Sequence, residues 1–195
     1  MDERERVAAI PWFATLEDPV RELLISRGRW RRGSAGEWVY GKGDEDAGVV
    51  AVVDGALYLH AQAADGRVVI IGMAPAGTVI GQSARFGGGP RLITATCAAE
   101  CLLFSLSDHA LQQTAATQPT LRTSVSTLLY GHARLLVEGL AECVALKPRQ
   151  RMIARLLAFE SAASPVGSVP GRVTGGPQPA ALARSRGGDY TRVLA

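Results

Sequence analysis

The chain has 195 residues, 47% of them hydrophobic and 20% charged, with a formal net charge of +3 and three cysteines. That length buries a real core, as one large domain or one domain plus a small one. No apolar run approaches the roughly 20 residues that cross a bilayer, the start MDERERVAAIPWF lacks the apolar stretch of a signal peptide, and an odd cysteine count implies no disulfide framework.

A reduced, cytoplasmic protein is therefore expected. The modest overall charge hides an asymmetry. Residues 1–144 carry 13 Lys and Arg against 16 Asp and Glu, a net of −3, whereas residues 145–195 carry 8 against 2, a net of +6. An acidic body with a basic tail has the charge footprint of a nucleic-acid binder, and equally of a basic solubilising tail.

In chain order, WFATLEDPVRELLISRG places Val20, Leu23 and Leu24 at helical spacing and predicts an amphipathic helix that caps the body of the protein. From about Trp30 to Ser107 the period changes to that of short strands. GVVAVVDGALYLHAQ, GRVVIIGMA, GTVIG, RLITATC and CLLFSL are separated by Asp54-Gly55, Asp65-Gly66 and Pro75-Ala76-Gly77. Asp-Gly is a hairpin signal, because glycine supplies the positive φ of a tight turn. No helical period intervenes, so this region is all-β and antiparallel: a sandwich, jelly roll or small barrel.

From Pro119 to about Cys143, Leu121, Val125, Leu128, His132, Leu135 and Gly139 recur at steps of 4, 3, 4, 3 and 4, the seam of a coiled coil. Pro119 suits a helix start, and about 25 residues make a rod of roughly 37 Å. The sustained 3.5 period predicts a dimer interface through these six residues, against the alternative of a surface helix with a broad core face. Leu129, Leu136, Leu140 and Cys143 form a second row. His132 in the seam either sets register as a polar residue or, protonated, repels its symmetry mate.

PRQRMIARLLAF predicts a further helix, SAASPVGSVPGRVTGGPQP a linker, and PAALARSRGGDYTRVLA a short helix, turn and helix. The fold class expected is α+β: an antiparallel β-roll or jelly roll with flanking helices, a long dimerisation helix and a small C-terminal helical segment.

This combination resembles the Crp/Fnr superfamily of transcription regulators. VVDGALYLHAQAADGRVVIIGMAPAGTVIGQ is similar to that family's strand, Gly, strand, hairpin, strand and Pro-x-Gly leading into a ligand cassette. CVALKPRQRMIARLL is similar to its segment after the long helix, with Cys143, Ala145, Leu146, Ala154, Arg155 and Leu157 in matching places. The resemblance implies a cyclic-nucleotide-binding-like sensor domain over 1–117, a dimerisation helix over 118–145 and a partial helix-turn-helix over 146–195. It also implies DNA, a second copy of the chain and RNA polymerase as partners, and no membrane.

The stretch GQSARFGGGPRLITATC carries the cassette. In cAMP-binding members, glutamate takes the ribose hydroxyl, and arginine, serine and backbone N–H groups hold the cyclic phosphate. Gly81 matches the first glycine and Arg91 the phosphate arginine, but Gln82 stands for the glutamate and Leu92 for the serine. Each replacement weakens a bond by about 1 kcal/mol, together on the order of 30-fold in affinity. The adenine-reading pair of the long helix falls at Val137-Glu138, which does not reproduce it. The candidate ligand residues are Gly81, Gln82, Ser83, Arg91 and Leu92. No cofactor is required; the candidate ligand is a cyclic nucleotide or a cyclic dinucleotide, with ordinary cAMP sensing disfavoured. The other reading of Arg91 is an arginine ending a hairpin in solvent.

Toward the C-terminus, Val173-Thr174, Leu182-Ala183 and Arg192-Val193-Leu194 resemble parts of the family's DNA-reading helices. Gly187-Gly188-Asp189-Tyr190 leaves the segment about three residues short, and no β wing comes after it in this sequence. Arg184, Arg186, Tyr190, Thr191 and Arg192 are the candidate DNA contacts, through phosphates before base edges. A divergent and a truncated end remain open.

Other chemistry finds little support. No cysteine precedes Cys97, which excludes the N-terminal cluster an iron–sulfur sensor needs. Cys97 and Cys101, four apart on a predicted strand, read as buried small hydrophobes, and Cys143 as core. His60, the candidate haem ligand, reads better as satisfied by a backbone group. His60, His109 and His132 form no metal motif, and no catalytic constellation appears. The chain is expected to be a non-enzymatic dimeric DNA-binding regulator. A nucleotide-binding-like module signalling through protein contacts is the alternative, and a jelly-roll enzyme a poor third.

Overall fold

The structure is a computed structural model that describes residues 2–45, 48–82, 89–147, 149–150 and 153. The predicted helix after Pro148 falls almost wholly outside these residues, and the linker and helix-turn-helix segment entirely so.

Three short helices open the chain: α1 (Glu3–Ala8), α2 (Pro11–Ala14) and α3 (Asp18–Arg27). Eight strands come next: β1 (Arg29–Gly33), β2 (Trp38–Tyr40), β3 (Gly48–Asp54), β4 (Ala56–Gln62), β5 (Val68–Pro75), β6 (Val79–Gln82), β7 (Thr94–Cys97) and β8 (Cys101–Ser107). Two more helices, α4 (Asp108–Thr117) and α5 (Thr120–Ala145), complete the described elements. The amphipathic segment expected as one helix is two, α2 and α3. Thr15 folds its hydroxyl back onto the Trp12 carbonyl, and Pro19, which lacks an N–H, fits the first turn of α3 but no helix interior. The hydrophobic pattern held no sign of α4. It is short and polar, and it is held by Ser107, whose Oγ accepts from the Ala110 N–H at 3.2 Å.

The strands form two antiparallel four-stranded sheets, ordered β1-β8-β3-β6 and β2-β7-β4-β5. This is the expected β-roll with flanking helices. Asp65-Gly66 closes the β4–β5 hairpin as predicted. Asp54-Gly55 and Pro75-Ala76-Gly77 do not close hairpins, because each carries the chain from one sheet to the other. The two corners are tied by the Ala76 N–H donating to the Gly55 carbonyl at 3.0 Å. Gly55 has a φ of 78°, and a Cβ there would press on Cys101.

The sheets enclose one core and the helices enclose another. Val50, Val52, Ile80 and Leu103 face Leu57, Ala74, Ala95 and Cys97 between the sheets. On the opposite face of β3 and β8, Val49, Ala51, Val53, Phe104 and Leu106 meet Phe13, Val20, Leu24, Leu111, Leu121 and Val125. Covered on both sides, β3 is buried from Gly48 to Val53, which is why GVVAVVD reads as a continuous apolar run and not an alternation. Phe104 anchors the helical core, with Phe13 and Trp30 against it edge to face at 6.0 and 5.0 Å.

Helix α5 therefore begins inside its own chain's core. Leu121 and Val125 are buried there, Leu128 packs beside them, and the Trp12 Nε1–H donates to the Ser124 carbonyl at 3.1 Å. Truncating Leu121 to Ala should cost about 2–5 kcal/mol of folding stability in urea denaturation. A loss below about 1 kcal/mol would show that this turn is not core.

Candidate functional site

The cassette is assembled from the turn after β2, the start of β3, the end of β6 and the segment before β7. Arg91 joins all four. Its backbone N–H donates to the Asp44 carbonyl at 3.0 Å and its carbonyl accepts from the Gly43 N–H at 2.8 Å. Asp44 in turn accepts from the Gly41 N–H through Oδ2, and the Lys42 N–H donates to Thr94 Oγ1. The side chain runs inward: Arg91 is only 7% exposed. Its guanidinium carbon lies 4.1 Å from the centre of the Tyr40 ring, and Nη1 donates to the Gly48 carbonyl at 2.7 Å. A hairpin arginine ending in solvent is thereby excluded.

A buried cation needs compensating dipoles or π density, and here a carbonyl and an aromatic face supply them. Burial pushes the Tyr40 phenol up to about 12, against the opposing pull of the Arg91 charge, so the ring is neutral across the physiological range. Gly81 makes the approach possible. It pairs with Val49 at a φ of 109°, and a Cβ there would run into the Gly48 carbonyl and lie 2.5 Å from Arg91 Nη1.

Of the predicted ligand residues, the structure brings Gly81 and Arg91 together. Gln82 pairs with Gly48 in the ladder. Ser83 lies outside the described residues, and Leu92 is 73% exposed. Tyr40 and Gly48, which hold the arginine, were not singled out from the sequence. The alternation of WVY and the glycine opening β3 carried no sign of a distant arginine. A phosphate recruited to Nη1 would share that nitrogen with the Gly48 carbonyl.

The predicted dimer seam divides. Leu121 and Val125 are in the chain's own core, with Leu128 beside them, and His132 Nε2 bonds the Val79 carbonyl at 2.8 Å. These four face the body and not a partner. The second half of α5 exposes a different row. Tyr130, Ala133, Val137, Leu140 and Val144 succeed one another at steps of 3, 4, 3 and 4, all exposed, with Val137 at 66% and Val144 at 80%; Leu135 and Leu136 are exposed nearby. The spacing of 130, 137 and 144 has the same period, in a row shorter than the one from Leu121 to Gly139. Glu138 pairs with Arg134 at 3.7 Å on this half of the helix.

The cysteines divide between core and surface. Cys97 and Cys101 are buried as expected, yet they end β7 and begin β8 and do not share a strand. Burial, then the neighbouring Cys101, pushes the Cys97 thiol up, and Cys101 Sγ donates to the Ala56 carbonyl. Cys143 is exposed and not core, since α5 has left the body there. His60 bonds the Thr96 hydroxyl at 2.8 Å, not a backbone group. Among the described residues, no group of three or more metal-binding side chains occurs, and no helix is long and apolar enough to cross a membrane. The DNA candidates Arg184, Arg186, Tyr190, Thr191 and Arg192 lie outside the described residues.

With this geometry in view, residues 30–118 match the cyclic nucleotide-binding domain. Several solved structures share the chain's fold. The N-terminal domain of a transcriptional regulator from Streptomyces coelicolor is 24% identical, covering 69% of this chain and 94% of that one, with a TM-score of 0.55. FixK2 from Bradyrhizobium japonicum is 18% identical (69% of this chain, 66% of that one, TM-score 0.62). Thermus thermophilus Catabolite Activator Protein is 22% identical (78% and 65%, TM-score 0.57). At these identities the likeness is one of fold. The sequence matches no curated protein.

Burial lowers the pKa of both His60 and His132, the second partly offset by its bond to Val79. Each is thus harder to protonate folded than unfolded. The stability this represents is complete above the unfolded value of about 6.5 and is lost as pH falls through the lower folded values. The thermal midpoint should hold from pH 8 to 7 and drop toward pH 5, with the drop reduced in a His60→Gln, His132→Gln double variant.

Proposed function

We propose that this protein is a homodimeric, DNA-binding transcription regulator of the Crp/Fnr type, with its roll as sensor, α5 as the dimerisation helix and the basic segment 146–195 as the DNA-reading part. The exposed heptad row of α5 carries this reading. Tyr130, Ala133, Val137, Leu140 and Val144 give the free half of a 26-residue helix an apolar seam of period 3.5, and a second copy of the same helix is the occupant that period fits. The net charge of +6 beyond residue 144 supports DNA as the partner, and the Streptomyces coelicolor neighbour, the N-terminal domain of a transcriptional regulator, points the same way.

The sensor does not answer to cAMP in the usual way. Arg91 is committed to the Gly48 carbonyl and Tyr40, Gln82 replaces the ribose-binding glutamate, and Leu92 projects into solvent. A cyclic dinucleotide, or no small ligand at all, fits these replacements better. If DNA plays no part, the same seam serves a module that signals through protein contacts.

Two measurements decide between these. A Val137→Asp, Leu140→Asp variant should convert the dimer to monomer in sedimentation velocity at micromolar concentration, without loss of the roll's stability. A wild-type monomer would end the dimer reading. Fluorescence anisotropy of a labelled DNA fragment from upstream of the gene should show saturable binding with a steep salt dependence. Arg192→Ala should lower the log–log slope by about 1, whereas flat anisotropy at low salt would leave the protein-contact module. Cyclic nucleotides added to the same titration identify any signal.

A further inference from the structure

Strand β6 carries the cassette's Gly81 and Gln82, and it is the outer strand of its sheet. On its inner side, Val49 pairs with Gly81 and Gly48 with Gln82. The Val52 N–H donates to the Thr78 carbonyl, so by the alternation of an antiparallel ladder the carbonyl of Val79 points away from β3, off the sheet edge. His132 meets it there at 2.8 Å. A carbonyl only accepts, so Nε2 carries the proton of this bond. His132 is also where α5 changes character. Before it, Leu121 and Val125 are buried and Leu128 packs on the core; beyond it, Leu135, Leu136, Val137, Leu140 and Val144 are exposed. Among the described residues, the hydrogen bond that joins α5 to the roll at His132 thus falls on the strand that carries the cassette glycine.

We propose that His132 is a positioning residue, the pivot through which the cassette strand β6 sets the direction of the unburied half of α5. Its bearing on regulation rests on the proposed regulator function, although the bond itself is within one chain. A change at Arg91 reaches Gly81, because the guanidinium fills the space a Cβ there would occupy. From Gly81 it passes two residues along β6 to the Val79 carbonyl, and from there to the helix. Loss of the bond frees the distal half to swing without unfolding the proximal half, which Leu121, Val125 and the Trp12–Ser124 bond hold independently.

The test uses the full chain with spin labels on native Cys143 and on Ser26→Cys, both exposed, diluted with unlabelled chain so that only within-chain distances are read. Cys97 and Cys101 are buried and stay unlabelled. His132→Leu should broaden the distance distribution, with roughly five-fold more of the detached population, and His132→Gln, whose amide also donates, should restore it. His132→Asn, too short to reach, serves if the leucine variant does not fold. Arg91→Lys should shift the distribution in the wild-type helix and leave it unshifted in His132→Leu. A distribution unchanged by His132→Leu or His132→Asn overturns the proposal, and so does an equal response to Arg91→Lys with and without the histidine. Sedimentation on the same samples keeps the two claims apart. A monomer that still shows the His132 effect ends the dimer reading alone, and a dimer without the effect ends the pivot alone.

Discussion

The ladder between β3 and β8 has no face turned to water, and the rest of the molecule answers to that constraint. Every backbone group in such a strand must pair within the protein, and every side chain must be apolar or compensated. One face of the pair is closed by the second sheet, whose strands place Leu57, Ala74, Ala95 and Cys97 across from Val50, Val52 and Leu103. The other face is closed by helices from both ends of the described chain, which bring Phe13, Leu24, Leu111 and Leu121 onto Phe104 and Leu106. The start of α5 is recruited to this work, so a helix long enough to serve a partner along its whole length has only its distal half to offer.

The same economy of space shapes the cassette. A guanidinium enters the roll beside β6 because residue 81 has no side chain, and it remains there because the Tyr40 face and the Gly48 carbonyl replace water. The group that marks a phosphate site in a sequence thus also serves as a structural clamp, tying the turn at 43–44 to the ends of β3 and β6. One strand is bonded to the clamp region on one side and to α5 on the other, which gives the roll a mechanical route to the helix without any long chain of intermediates.

Much of the fold was legible because its signals are local. Period-two and fully apolar runs marked β3 to β8, and the change to a 3.5 period marked α5. What local pattern did not convey was which sheet a strand joins. Asp54-Gly55 has the chemistry of a hairpin turn and acts as a corner, since glycine's positive φ serves either geometry. Helix α4 escaped notice because its buried side, including Thr114 held by Arg27 at 2.8 Å, is not apolar enough to show a stripe. Within the site, Gly81 and Arg91 were found from their resemblance to a cassette, whereas Tyr40 and Gly48, distant in sequence and ordinary in type, were not.

From its own sequence the chain determines that residues near 48–107 pair as antiparallel strands, that a long helix comes next and that basic charge collects after it, because propensity, period and charge are properties of neighbouring residues. Tertiary structure alone decides which face of the helix is spent on the chain's own core. Leu121, Val125, Leu128 and His132 lie in one unbroken heptad row with Leu135 and Gly139, and nothing in their spacing separates them. The division is made where the roll ends beneath the helix. An apolar residue gains the same burial from either surface, but a surface of its own chain does not carry the translational and rotational cost of bringing in a partner.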